Sequence, residues 1–447
     1  MTLTADGLPA LVRGDPAFAA ETLGYNRAWR PDPELVVRAT GPADVAAAVA
    51  FGAARGLGVA VQSTGHGLVG DLGGSLLIST RRMKGLAVDP RARTVTVQAG
   101  VVWAEVIEAA RPYGLAPLNG SFPGAGVMGF TLGGGLGPMS RRYGYAADHV
   151  RSVELVTADG TFHTVSPERE PDLFWGVRGG KGNLGVATAL TIGLVPVTRL
   201  YGGGIHFRGE SAPEVLHAYR EWIEDLPEET TTSVALLRMP EAPELPEPLR
   251  GAFVVHLRIA HLGDPRLGEA LLAPMRRAGR VLIDDVRDMP YTEIASIHND
   301  PPDPQPFWEG SSLLARLSAG SVEELLRLAG PGAELPLAMV ELRHLGGAAR
   351  RAPEVPNAVC GRDAEFCLLA VGDATEEAAR AGARVLDALA ADSTGGTLLN
   401  FQGTAFDDLH RAYSAETYSR LRELKRIHDP GNLFRFGHVV PAAGEDR

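Results

Sequence analysis

Residues 42–67 read PADVAAAVAFGAARGLGVAVQSTGHG. Pro42 suits a first helical turn, where its missing N–H needs no partner, and Asp44 sets a negative charge against the helix N-terminus. The pattern predicts a helix over 42–55, an apolar strand over 58–61, and an extended segment before both, from Pro31. This strand–helix–strand unit runs straight into a polar loop, Gln62-Ser63-Thr64-Gly65-His66-Gly67. Small residues at a strand end offer backbone N–H groups with no Cβ in the way, which suits a pyrophosphate. An ordinary turn with a solvated His66 is the plainer reading of the same letters.

Outward from this unit, strands are expected at 75–79, 94–97 and 152–157, a helix near 103–113, and a glycine-rich stretch over 120–137. The chain's 54 glycines are concentrated in the first 200 residues in short clusters, which points to close backbone approach there rather than to a linker. After Pro196 the clusters fade. Alternating runs at 233–237, 252–259, 311–317 and 337–342 predict an antiparallel sheet, with helices at 212–224, 265–278, 322–328 and 376–391 between them. A last helix over 415–426 stops at His428-Asp429-Pro430-Gly431. The fold class expected is α+β, in three stretches: 1–199, an inserted sheet domain at 200–397, and a C-terminal segment at 398–447 that returns to the first.

Composition removes several functions. The chain has 447 residues, 43 basic against 54 acidic, a net charge of −11 and no Lys/Arg stripe, so no nucleic-acid partner is expected. Only Lys84, Lys181 and Lys425 are lysines, which leaves Schiff-base chemistry few carriers. Cys360 and Cys367 support neither a disulfide framework nor a metal cage, and read as buried small residues. No apolar run reaches the length of a membrane span, so no membrane association and a cytoplasmic location are expected, with the chain a monomer or homodimer.

Two further glycine segments bear on chemistry. Gly124 to Gly137, with Gly126, Gly129 and the triplet Gly133-Gly134-Gly135, lacks the preceding strand and the following helix of a dinucleotide fingerprint. It suggests backbone lying against something large and planar or charged, or else a tightly packed turn. Arg178-Gly179-Gly180-Lys181-Gly182-Asn183 leads through Gly185 and Val186 into an apolar strand, a third loop of backbone donors. Three converging loops would wrap an elongated anionic cofactor of the size of FAD. On the strand Val340–His344, alternation puts Glu341 and Arg343 on one face, facing a cavity or forming a solvated ion pair. Tyr291 lines a substrate cavity or sits in the core.

Taken in order, the segments 62–67, 126–137, 142–148, 178–188, 418–422 and 429–435 resemble the berberine-bridge-enzyme-like branch of the vanillyl-alcohol-oxidase flavoproteins, over nearly the whole chain. The resemblance implies a two-part FAD-binding domain with an inserted antiparallel-sheet substrate domain. It implies FAD bonded through the His66 imidazole to the flavin 8α-methyl carbon, in a site that includes Gln62, Ser63, Thr64, Gly65, Gly67, Gly126, Gly129, Thr131, Gly133, Gly134, Gly135, Leu136, Asn183, Gly185, Val186, Asn400 and His438. Phe122 stands where many relatives carry a second flavin-linking cysteine, so a single link is expected. Leu398-Leu399-Asn400-Phe401 stands where many have Tyr-x-Asn-Tyr, so the tyrosine that helps deprotonate substrate is missing. Glu341 resembles the catalytic glutamate of the flavoenzyme of enterocin biosynthesis (favorskiiase), and Thr131 and Leu136 resemble its oxygen pocket.

The function implied is oxidation of a small-molecule alcohol, phenol or polyketide-type substrate by hydride transfer to flavin N5, in natural-product tailoring, with O2 as acceptor and H2O2 as product. Glu341, Arg343 and Tyr291 are the expected catalytic residues, and no metal is expected. An oxygen-inserting enzyme working through a flavin-N5-oxygen adduct, a dehydrogenase with another acceptor, and a binding protein that kept the fold are the alternatives.

Overall fold

The computed structural model describes residues 2–3, 8–67, 70–403 and 406–444; the outermost expected bounds, 1 and 447, lie outside them. The helix Pro42–Arg55 forms as expected, with Gly41 as N-cap and Gly56 closing it at φ 66°. Asp44 accepts the Thr40 N–H at 2.8 Å, satisfying a donor just ahead of the first turn. Val45, Ala48, Val49, Phe51 and Gly52 form its buried face. It packs on a three-stranded parallel sheet ordered Leu35–Arg38, Ser75–Ser79, Gly58–Gln62. A five-stranded antiparallel sheet follows, with Val186–Gly193 at its centre between Thr94–Gln98 and Val150–Val156.

The second half contains an eight-stranded antiparallel sheet built from residues 199–372. Its strands alternate strictly. Val234, Leu236, Val255, Leu257, Val340, Leu342, Leu368 and Ala370 enter an apolar core beneath the helices Ala212–Trp222, Pro265–Arg276, Ala319–Ala329 and Glu376–Ala388. The opposite face carries two cross-strand rows. One runs Gly204, Arg258, Ser233, Arg343, Cys367; the other runs His206, His256, Ala235, Glu341, Leu369, Ser311. The period of two thus gives this sheet one oily face and one charged one.

Two expectations change. The 124–137 stretch does contain a helix, Val127–Leu132, started by Gly126. Glycines also persist past Pro196, in the strand Arg199–Arg208, because a Cβ on Gly204 would stand on the His256 ring. The C-terminal helix Ala415–His428 packs on the helix Pro171–Gly180, and Val59 donates to Leu433 O at 2.9 Å, bringing the tail back to the first sheet. Asp429 ends that helix: fully buried, it binds Lys425 Nζ at 2.6 Å and accepts the Leu433 and Phe434 N–H groups. Among the described residues no helix is long and apolar enough to cross a membrane.

Candidate active site

The loop that leaves the strand Gly58–Gln62 is fixed by the segment after the helix Phe18–Thr22. Tyr25 N donates to Thr64 O and Asn26 N to Gly65 O, at 2.9 and 3.1 Å, while Gly65 takes φ 68° with Gly24 pressed against it. This clamp needs glycine at both positions, since a Cβ on either would overlap the other's backbone. His66 is therefore held, not solvated. Its ring stacks on Tyr25 with centroids 4.1 Å apart and planes 7° from parallel, and Phe122 flanks it at 5.3 Å.

Nδ1 of His66 lies 2.9 Å from Thr64 Oγ1, whereas Nε2 is buried with no hydrogen-bond partner. Burial pushes the imidazole down to about 4, against a weaker opposing pull from Asp300, so the ring is neutral at physiological pH. Ser63 Oγ and Thr131 Oγ1 are buried and unpartnered as well. Three orphaned polar atoms in the glycine segments are unusual, because buried polar groups are normally paired. Gly129, on the helix Val127–Leu132, faces open space, and a Cβ on Gly126 would come within 3.5 Å of Ser63 Oγ and Thr64 Oγ1. Gly134 and Gly135 take φ 111° and 79°, and their carbonyls are fixed by Ala147 and Ala146 N–H.

Other expected cofactor residues serve the scaffold. Gln62 spends its amide on Glu21 O and Thr22 O. Arg178 is a fully buried anchor for Phe174, Val355 and Pro356 carbonyls, so the third glycine segment is not an open donor loop. Asn183 ties down the tail through His438 O and Val440 N. Gly185 lies where a Cβ would meet Val156 O at 2.7 Å, and Val186 pairs with Val156 in the buried sheet. Gly67 is an exposed position at the outer end of the loop. Asn400 does approach the glycine triplet: it donates to Phe130 O at 2.8 Å, and its Oδ1 borders Gly133. His438, half-buried, meets Gly403 O at 3.1 Å.

The charged sheet face stands across from these loops. Leu136, Pro138 and Ser140 line a partly open cavity with Thr231, Ser233, Arg258, His298 and Arg343. Glu341 is fully buried there: Oε1 accepts from Arg258 and Ser233 at 2.5 and 2.7 Å, and Oε2 accepts from Arg343 Nε at 2.8 Å. Burial alone would raise this carboxyl, but the two guanidiniums together hold it far below the carboxylate range. Glu341, expected as the proton acceptor, is instead an anchor for two arginines. Tyr291 is corrected likewise: its hydroxyl donates to Pro117 O and Asn119 Oδ1 at 2.6 and 2.5 Å within the core, and burial raises it well above the tyrosine range.

Residues 33–166, which include the His66 loop and the 124–137 segment, match the FAD binding domain family. The (R)-6-hydroxynicotine oxidase of Paenarthrobacter nicotinovorans is 26% identical over 438 residues, 92% of each chain. Among solved structures, BBE-like 1 of Physcomitrella patens superposes with a TM-score of 0.85 at 20% identity over 98% of both chains. The xylooligosaccharide oxidase of Myceliophthora thermophila C1 gives 0.84 at 20% identity, again over 98% of both. The chain is an FAD-linked oxidoreductase with the fold of the vanillyl-alcohol-oxidase-type structures it resembles.

FAD fits the residues of this flavoprotein: the orphaned His66 Nε2 and the Ser63 and Thr131 hydroxyls require partners, and the glycine cradle leaves them room. Sequence reasoning missed four groups beside them. Arg258 and His298 complete the Glu341 cluster, with His298 Nε2 3.8 Å from Glu341 Oε1. Lys181 sits at φ 51°, ψ −136°, and lays its side chain where a Cβ on Gly133 would stand. Glu309 lies in the strand Trp308–Leu314, two positions from Ser311 on the charged face. Burial pushes Lys181 down to about 8 and Glu309 up to about 7, each partly offset by attraction to the other. A charged residue at an inward position of an otherwise apolar strand, as in Phe253–His261, is the signal that would have found Arg258.

Proposed function

We propose that the protein is an FAD-dependent oxidase of small molecules, with FAD covalently attached through His66 and O2 as the electron acceptor, giving H2O2. The orphaned, buried Nε2 of a neutral imidazole carries this reading. A nucleophilic nitrogen must be unprotonated and unpartnered, and in the tautomer in which Nδ1 donates to Thr64 Oγ1 the lone pair falls on Nε2. Phe122, packed beside that ring, offers no second attachment.

Bound FAD supplies the hydride acceptor. Tyr25 and Phe122 keep the His66 ring oriented and dry, the backbone of Gly126–Gly135 and the Ser63 and Thr131 hydroxyls hold the cofactor, and the charged sheet face holds the substrate opposite. Glu309, on the charged face of the strand Trp308–Leu314 and raised by burial to about 7, is the carboxylate placed to take the substrate's hydroxyl proton. The activities named for relatives, on 6-hydroxynicotine and on xylooligosaccharide, support a small polar alcohol, phenol or amine-bearing substrate.

Acid precipitation of the purified protein, followed by peptide mass analysis, tests the attachment. The expected result is a yellow pellet with flavin mass on the peptide containing His66, and His66→Ala releasing all FAD to the supernatant. A colourless pellet from the unaltered protein, with FAD in the supernatant, overturns the covalent assignment.

A further inference from the structure

Arg343 uses its guanidinium incompletely. Nε is committed to Glu341 Oε2 at 2.8 Å, but neither terminal nitrogen donates a hydrogen bond to any described residue, although the side chain is only 14% exposed. Phe401 lies against one face with its centroid 5.0 Å from Cζ, which holds the fork in a plane. The terminal nitrogens belong to a side chain that lines this cavity, together with Ser140, Thr231 and Ser233.

The charge count points the same way. Arg258 and Arg343 bring two positive charges and Glu341 one negative charge to the cluster. His256 and His298 add none, since burial and the neighbouring arginines hold both imidazoles well below neutral pH. Asp300 also attracts Arg343, though it makes no ion pair with it within 4 Å, and it acts on His66 and His298 as well, so one electrostatic neighbourhood joins the cavity to the proposed flavin attachment. A buried net positive charge is costly unless an anion completes it. A guanidinium anchored by Nε and presenting two parallel N–H donors matches two coplanar oxygens.

We propose that the substrate is a carboxylate, docked by its two oxygens on the Arg343 fork inside this cavity. The proposal deepens the oxidase reading above by naming the substrate class, and it rests on that reading for the chemistry. The carboxylate is a handle that stays unchanged, while oxidation occurs at a carbon elsewhere in the molecule.

Titration calorimetry of the holoenzyme with benzoate and with its neutral isostere benzamide tests it. Benzoate should bind saturably and perturb the visible flavin spectrum, and benzamide should bind at least tenfold more weakly. Arg343→Gln should weaken benzoate at least tenfold and bring the two probes together. Arg343→Lys, which keeps the charge and loses the fork, should fall between. Should Arg343→Gln fail to fold, Thr231→Trp decides the location by filling the cavity, and it should abolish benzoate binding. Equal affinity for the two probes, no benzoate binding, or undiminished binding in Arg343→Lys or in Thr231→Trp overturns the proposal. Calorimetry needs no colour, so a failure of the flavin reading, seen as protein without FAD, stays separate from a failure of this one.

Discussion

Replacing Glu341 by Gln separates an anchor from a base. The carboxylate is enclosed by Arg258, Arg343 and Ser233, with His298 next to them. An amide keeps the shape but removes the charge, leaving two guanidiniums in a buried site with no counter-ion, a change worth about 3–5 kcal/mol. For a chain of this length each kcal/mol corresponds to a shift of roughly 1 °C, so the melting temperature should fall by about 3–5 °C. The pH dependence carries a sign. The folded carboxyl is depressed below 4.5, so its contribution is full above that value and is lost as pH falls toward the folded midpoint. Calorimetric melts from pH 7.5 to 3 should show a constant gap between the two proteins above pH 4.5, narrowing by about 2 kcal/mol at pH 3. A Glu341→Gln protein that melts with the unaltered one at every pH, yet no longer reduces its flavin with substrate, would refute the anchor reading and restore Glu341 as base.

Two other perturbations bear on the Lys181–Glu309 pair. Flavin reduction by substrate should rise with pH through about 7 as Glu309 loses its proton, and stopped-flow traces of Glu309→Gln should be slow and pH-independent; an unchanged profile excludes Glu309 as acceptor. Lys181→Gly should relieve a backbone conformation worth about 1–3 kcal/mol at a non-glycine residue. Because the folded ammonium is depressed from 10.5 to about 8, its burial cost is complete below pH 8 and gone above 10.5. The gain in melting temperature should therefore be larger at pH 7.5 than at pH 10.5, and a gain that is equal or larger at the higher pH contradicts a buried charge.

The sheet and helix pattern was legible because periodicity reports burial directly. The Pro42–Arg55 helix and the Ser75–Ser79 strand appear with the expected bounds, and the antiparallel runs appear within a few residues of theirs. The His66 loop was legible as a glycine-bearing strand end. Its clamp was not, because Tyr25 lies 41 positions away in sequence and nothing local in Gly24-Tyr25-Asn26 announces stacking. Arg178 shows the converse error: glycines around it suggested an open donor loop, but the guanidinium is buried against three carbonyls whose positions only the tertiary fold sets.

Glu341 shows why a site residue can be located from sequence while its chemistry cannot. Alternation on the strand Leu337–His344 put Glu341 and Arg343 on one face, and the structure has them 2.8 Å apart. What decides between a base and an anchor is Arg258, which reaches the same carboxylate from the strand Phe253–His261 across Ser233. One cation beside a carboxylate leaves a pair that can exchange protons with a substrate when the geometry changes. Two cations fix its charge as a carboxylate, which is what makes an anionic ligand the proposed partner of the free Arg343 fork. Under that proposal the residue expected to do the chemistry instead sets the charge of the substrate it admits.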